Sequence, residues 1–218
     1  MRVRMNCNSR QDEILGQFCD DIGADLVDVG DINKFGLGIP GDRIIVKDNI
    51  YSILQNYLVA AGPCCPLYYG WSVQVSTPCL TNDCFRFKIS CKNVLNTLNM
   101  LFTTKNIKVR DPAIDREFIV EGNDEQKVRR FFGNQKIRKL IHDLNKDRAG
   151  WTSEITKASS LHPKLAKRLY VLRLIDPIDI FGEMERLKAL LGLLKEMLDQ
   201  LTEMGSVDII DLNNVLSC

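Results

Sequence analysis

Apolar and polar residues alternate strictly in two segments of the chain, residues 71–76 and 85–92. A period of two places successive side chains on opposite faces of a β-strand. Because a short connection with Pro78, Asn82 and Asp83 separates the segments, they are predicted to form a β-hairpin. One face would be apolar, and the other would hold Arg86, Lys88 and Lys92 in solvent. The apolar positions are Trp71, Val73, Val75, Phe85, Phe87, Ile89 and Cys91.

Apolar residues spaced by three and four positions predict a helix near each end of the chain. The first covers residues 9–26, with Ser9 as N-cap and Asp12 and Glu13 at the positive end of the helix dipole. The second covers residues 182–204 and has a broad apolar stripe. A broad stripe is typical of a helix that packs on the core of its own protein. The stripe contains Met184, Leu187, Leu190, Leu191, Leu194, Met197, Leu198, Leu201 and Met204.

Two further helices are predicted between residues 123 and 144. Asn123 is the expected N-cap, with Gln126 three residues later as in a capping box. The first helix buries Val128, Phe131 and Phe132, and Gly133 and Asn134 break it. The second continues the apolar face with Ile137, Leu140, Ile141 and Leu144.

Short strands are predicted at residues 43–47, 117–121 and 168–175, and residues 107–109 are predicted to be another extended piece. Residues 30–41 and 150–163 are interpreted as connections, residues 94–102 as a short helix, and residues 111–112 as a turn. Residues 51–61 fit neither pattern clearly.

Together these elements predict an α+β fold, in which helices cover a mainly antiparallel sheet and a long amphipathic helix comes last. Residues 1–42 are assigned to an N-terminal helix and loop that pack on the core. Residues 43–205 form the α+β domain, and residues 206–218 form a C-terminal tail. The 218 residues, 45% hydrophobic and 26% charged, suffice for one sizeable core.

A cytoplasmic, soluble location is expected. The residues after the first arginines have no apolar run typical of a signal peptide, and no run of about 18 apolar residues predicts a membrane span. Most of the eight cysteines are then expected to be free thiols, and the redox state of Cys64 and Cys65 stays open.

The charges are unevenly distributed, although the net charge is only +1. Residues 127–173, called here the basic belt, hold thirteen Lys and Arg against three Asp and Glu, whereas residues 174–218 hold three against nine. An exposed belt would bind nucleic acid or another polyanion, with affinity falling in salt. The alternative is neutralisation by the acidic ends of the chain. The candidate binding residues are Lys127, Arg129, Arg130, Lys136, Arg138 and Lys139.

No pattern predicts a metal, a cofactor or a catalytic site. Cys64, Cys65, Cys79, Cys84 and Cys91 lack the spacing of a zinc site. The two histidines, His142 and His162, lie in no nucleophile motif. Asp111, Asp115, Glu117 and Glu121 form a possible carboxylate cluster, but turn and surface roles explain them more simply.

From Asp83 to Gly205 the chain resembles an uncharacterised bacterial family with no assigned activity. The resemblance is carried by strand residues 85–87, the Asp111-Pro112 pair with Asp115, the segment Phe118-Ile119-Val120, residues 122–125, and helix residues 128–129, 137–141 and 185–188. It implies a shared α+β fold and no catalytic or ligand-binding residue.

The expected function is therefore a non-enzymatic interaction module that binds another protein or its own copy. Polyanion binding through the basic belt is the alternative, and an enzyme of unrecognised type is a third hypothesis. Binding to DNA and RNA that is absent, or independent of salt, would remove the second hypothesis.

Overall fold

A computed structural model describes residues 10–28, 43–47, 50–60, 69–92, 106–147, 150–157, 168–177 and 183–210. The predicted elements at residues 30–41 and 94–102, together with Cys64, Cys65 and His162, lie outside these ranges. The helices are α1 (Arg10–Ile22), α2 (Pro112–Glu117), α3 (Glu125–Phe131), α4 (Gln135–Asp147) and α5 (Met184–Glu203). The strands are β1 (Asp25–Asp28), β2 (Arg43–Lys47), β3 (Ile50–Ala60), β4 (Tyr69–Thr81), β5 (Phe87–Cys91), β6 (Phe118–Gly122), β7 (Thr152–Lys157), β8 (Leu169–Asp176) and β9 (Val207–Ile209).

The strands form one sheet in the order β1-β2-β3-β4-β8-β7-β5-β6, and β9 also pairs with β4. Every pairing between these strands is antiparallel. With α5 as a 20-residue last helix, the predicted α+β fold is confirmed. No helix in the described ranges is long and apolar enough to cross a membrane.

The main core lies between one face of the sheet and the helices. In β8 the alternating residues Tyr170, Leu172 and Leu174 are buried, and Val171 and Arg173 on the opposite face are less so. The α5 stripe faces this core, because Leu187, Leu190, Leu194, Met197, Leu198 and Leu201 are all at most 1% exposed. The prediction that this helix packs on its own protein is therefore confirmed.

A buried ion pair joins three elements at one end of the core. Arg186 of α5 contacts Asp176 of β8, with Nε and Oδ2 2.7 Å apart, and donates from Nη1 to the Leu144 carbonyl of α4 at 2.9 Å. At the other end of α5, Gly205 has a φ of +71°, and Ser206 N–H donates to the Leu201 carbonyl. This left-handed glycine ends the helix and directs the chain into β9.

β4 changes its neighbour at Pro78. Its pairing with β3 stops at Ser76, and its pairing with β9 starts at Cys79. Thr81 N–H donates toward β8, to the Arg168 carbonyl. Because amides alternate in direction along a strand, residue 78 faces the β3 and β9 side, at the gap between them. A proline, which has no N–H, fits this place inside a sheet.

The two segments predicted to form a hairpin do not pair with each other, but their apolar and basic residues lie on the predicted faces. β4 and β5 do not pair; β4 lies between β3 and β8, and β5 between β6 and β7. Val73, Val75, Phe85, Phe87, Ile89 and Cys91 are buried, and Arg86, Lys88 and Lys92 are exposed, as predicted.

Four local predictions also need correction. Residues 152–157, predicted as a connection, form β7, and α1 ends at Ile22 because Gly23 adopts a φ of +66°. Residues 112–117 form α2 with Asp111 as N-cap and proline in the first turn, so the strand begins after Glu117. Asp124, not Asn123, caps α3, since its carboxylate accepts from the N–H groups of Gln126 and Lys127. The Asn123 side chain instead binds the backbone of Cys84 and Arg86.

Candidate ligand-binding cavity

A cavity of about 370 Å³ lies between the helices and one end of the sheet. We call it the helix–sheet cavity. Its described lining consists of Asp21, Ile22, Ile45, Lys47, Ser52, Lys188, Leu191, Gly192 and Lys195. These residues come from α1, β2, β3 and α5.

The cavity lies beside the part of β3 that does not pair with β4. In the register of the two strands, residues 50–52 would lie opposite residues 77–79, but the observed pairing stops at Ile53 and Ser76. β9 pairs with β4 from Cys79 onward instead. Residues 50–52 are therefore paired with β2 alone, and Ser52 and Lys47 of this two-stranded end line the cavity.

α5 forms one wall of the cavity through a single face. Lys188, Leu191, Gly192 and Lys195 fall at positions i, i+3, i+4 and i+7, which share one side of a helix. A Cβ atom added to Gly192 would meet nothing within 4 Å. The absent side chain therefore leaves open space in the wall.

α1 closes the cavity from the other side with Asp21 and Ile22, the last two residues of the helix. The helix is held on the core by Leu15, Phe18 and Cys19, which are 2% to 6% exposed. A smaller adjacent cavity of about 160 Å³ shares Asp21, Ile22 and Lys188 in its lining. The space between α1 and α5 thus extends beyond the main cavity.

The rim of the cavity is positively charged. Three lysines face one aspartate in the described lining. Lys195 is also 3.0 Å from Asp199, whereas neither Lys47 nor Lys188 has an ion pair with another described residue. Because the walls at Ile22, Ile45 and Leu191 are apolar, the cavity combines an apolar interior with cations at its opening.

The six candidate polyanion-binding residues lie on α3 and α4, away from this cavity. Lys127 is 2.7 Å from Asp83, and Arg129 is 2.7 Å from Glu125. Arg138 donates to the Phe132 carbonyl and lies 3.6 Å from Asp111, and Lys136 lies 4.0 Å from Glu196. Arg130 and Lys139 are exposed, with no ion pair to a described residue. Polyanion binding stays a prediction, which now depends mainly on Arg130, Lys136 and Lys139.

Acidic residues elsewhere in the chain neutralise part of the basic belt. Asp208 lies 3.4 Å from Arg168, but the closer partners are carboxylates from the middle of the chain. Burial alone would raise the pKa of Asp83, yet hydrogen bonds from Lys127, Phe85 N–H and Ser206 outweigh it and lower the pKa.

The candidate carboxylate cluster has structural roles in the described ranges. Asp111 caps α2, and Asp115 accepts from Val109 and Arg110 N–H. Glu117 accepts from Arg116 and from Asn145, and the first of these bonds is the main cause of its lowered pKa. No group of three His, Cys, Asp or Glu side chains in the described residues could hold a metal ion.

Among the described residues, His142 contacts a carboxylate, and two of the thiols have raised pKa values. His142 Nε2 lies 3.6 Å from Asp111 Oδ1. Burial raises the pKa of the Cys79 thiol to about 12, and burial also raises that of Cys91. Cys84 is exposed.

The sequence analysis missed the cavity, although one signal was present. Gly192 lies in the middle of a leucine-rich helix, where glycine costs about 1 kcal/mol relative to alanine. Lys188 and Lys195 interrupt the apolar run of the same helix.

Comparisons of the chain with models of known protein families, with curated proteins and with solved structures give no match. The resemblance to a bacterial family therefore stays a prediction. The cavity has to be interpreted from its own residues.

Proposed function

We infer that the protein is a binding module for a small apolar ligand, which it holds in the helix–sheet cavity. The observation that carries this proposal is an open volume of about 370 Å³ with apolar walls and a few polar groups at its opening. Ligand sites in proteins have volumes of about 300–1,000 Å³ and this type of lining. The proposal keeps the expected binding role and changes the expected partner from a protein to a small molecule.

The change of partner follows from the packing of α5. The expected protein partner followed from the lack of a recognisable catalytic site and, in addition, from the apolar width of this helix, whose widest part is buried in the chain's own core. Leu191, at the edge of the stripe, is only partly buried and lines the cavity. The apolar surface at Leu191 thus lies in a cavity, which suits a small molecule better than a flat protein surface.

The test is titration with a neutral dye whose fluorescence increases in apolar surroundings, such as Nile red. We expect saturable binding of one dye per chain. Gly192→Leu should weaken it at least tenfold, because the new side chain enters the open space at residue 192. Circular dichroism and thermal melting of the variant would verify that it folds.

Gly16→Leu is the matched control. Gly16 also lies inside a helix, also has nothing within 4 Å of an added Cβ, and lines neither cavity. This variant should bind the dye like the wild type. Equal affinity of the Gly192→Leu variant and the wild type, or no saturable binding at all, would refute the proposed function.

A further inference from the structure

We propose that the ligand of the helix–sheet cavity is an anionic amphiphile: a single apolar chain that ends in a carboxylate or phosphate group. This inference rests on the proposed function and adds the chemical class of the ligand. It is carried by the position of three lysines around an apolar wall.

α5 contributes two of the three lysines in the described lining. Lys188 and Lys195 are seven residues apart, which is roughly 10 Å along a helix axis. Leu191 and Gly192 lie between them on the same face. An apolar chain on Leu191 and Gly192 would therefore have a cation near each end of its contact with the helix.

The sheet contributes the third lysine, Lys47. Lys47 is the last residue of β2, and Ile45, two residues earlier, is 2% exposed and lies on the same side of the strand. The strand thus repeats the arrangement of α5, with an apolar residue inside and a lysine at the edge. Lysine side chains can cover apolar surface with their methylene groups while the ammonium group stays in water.

The charges of the described lining favour one class of ligand over the others. A neutral ligand that displaced water from the lysine ammonium groups would not replace the lost hydrogen bonds. An anion would instead form charge-assisted hydrogen bonds with these groups. In the described part of the lining, a cationic ligand would meet three lysines and one aspartate, Asp21, and Lys195 also contacts Asp199. The lining therefore favours an anion over a neutral molecule, and a neutral molecule over a cation.

The position of the apolar residues inside a cavity distinguishes a free ligand from a lipid surface. The apolar contacts at Ile22, Ile45 and Leu191 lie inside a cavity between α1 and α5 and do not form a protruding apolar surface. To bind a membrane, the protein would need a protruding apolar surface that the lipid could bury. We therefore assign the site to a free, single-chain ligand.

The experiment uses decanoate, decyl phosphate, 1-decanol and decyltrimethylammonium, each below the concentration at which it forms micelles. Each compound competes with the neutral dye for the 218-residue chain. We expect the two anions to bind at least tenfold more tightly than the alcohol, because a hydrogen bond to a charged group contributes that much or more. The cation should bind most weakly. Each methylene removed from the acid should weaken binding roughly fourfold.

Substitutions separate the head group from the apolar chain. In the triple variant Lys47→Gln/Lys188→Gln/Lys195→Gln, the affinity for decanoate should fall to that for 1-decanol, and the affinity for 1-decanol should be unchanged. Lys139→Gln, an exposed lysine outside the cavity, is the control and should leave both affinities unchanged. Salt at 0.5 M should weaken decanoate binding only in proteins that keep the cavity lysines.

The outcomes distinguish this inference from the proposed function. If 1-decanol binds as tightly as decanoate and Gly192→Leu weakens both, the cavity binds apolar ligands and the assignment of an anion is wrong. If the dye binds but no amphiphile displaces it, the amphiphile assignment is also wrong. If neither the dye nor any amphiphile binds, the proposed function itself fails. Sedimentation with anionic phospholipid vesicles that Gly192→Leu abolishes would overturn the assignment to a free ligand.

Discussion

The ion pair between Asp176 and Arg186 should be the most sensitive polar contact in the core. Asp176 is 0% exposed, and the Arg186 side chain is 9% exposed. The guanidinium group reaches both the carboxylate of β8 and the Leu144 carbonyl of α4. It therefore holds two neighbouring elements to the first turn of α5.

Arg186→Met removes the positive charge and keeps most of the side-chain volume. The carboxylate of Asp176 is then left in the core without its guanidinium partner, a change that costs about 3–5 kcal/mol in other proteins. Since most domains are stable by only about 5–15 kcal/mol, the variant would lose a large part of its free energy of unfolding. Asp176→Asn should be similarly costly, because it leaves Arg186 charged and buried.

The double variant Asp176→Asn/Arg186→Met gives the decisive measurement. It removes both charges, so its loss should be smaller than the sum of the two single losses by about 2 kcal/mol or more. Urea unfolding followed by circular dichroism, with comparison of midpoints at equal slope, measures all three values. Asp199→Asn, which breaks the exposed pair with Lys195, is the control and should cost less than about 0.5 kcal/mol. Single losses below about 1 kcal/mol, or strictly additive losses, would refute the reasoning.

Two further predictions concern a glycine and the acid response of the fold. Gly122→Ala should destabilise the protein by about 1–3 kcal/mol in urea unfolding, because the added Cβ would lie 2.5 Å from Val128 Cγ2 and 3.0 Å from the Arg86 carbonyl; Gly16→Ala, with open space around it, should be stabilising instead. Asp83 has a lowered pKa in the fold, so its contribution to stability is present above its unfolded pKa of about 4 and is lost as the pH falls through the folded pKa. Asp83→Asn should therefore flatten the loss of stability below about pH 4 in unfolding measured across pH, and an unchanged slope would contradict the assignment.

The faces of the elements could be predicted from the sequence because each face is a local property. The alternation at residues 85–92 is visible within eight residues, and the structure buries the apolar members of it. The partners of a strand are not local. Residues 77–84 look like a hairpin connection, but Asn82 contacts Gly205 and Asp208, and Asp83 binds Lys127 and Ser206. These contacts hold the connection against distant elements, and no short pattern predicts them.

Two missed elements did leave local signals. β7 contains Thr152, Ile155 and Thr156, which are β-branched residues with a preference for strands. Its alternation was weak because Ser153 occupies one of the core-facing positions. For α2, an acidic N-cap followed by proline in the first turn is a known start of a helix, yet only six residues follow before the strand. A helix of this length is too short to show an apolar period.

The cavity could not be predicted because its lining comes from distant parts of the chain and depends on which strand pairs with β4. The net charge of each segment also gave no indication of the cavity. Residues 174–218 hold only three cations against nine acidic residues, and this part of the chain was therefore interpreted as an acidic counterweight to the basic belt. In the fold, one of these cations, Arg186, is buried with Asp176, and the other two, Lys188 and Lys195, converge with Lys47 at the cavity. Much of the basic belt, in contrast, is engaged in ion pairs with carboxylates of the same chain. Two of the three cavity lysines thus belong to a segment whose overall charge is negative. The proposed function therefore depends on the position of the lysines and not on their number.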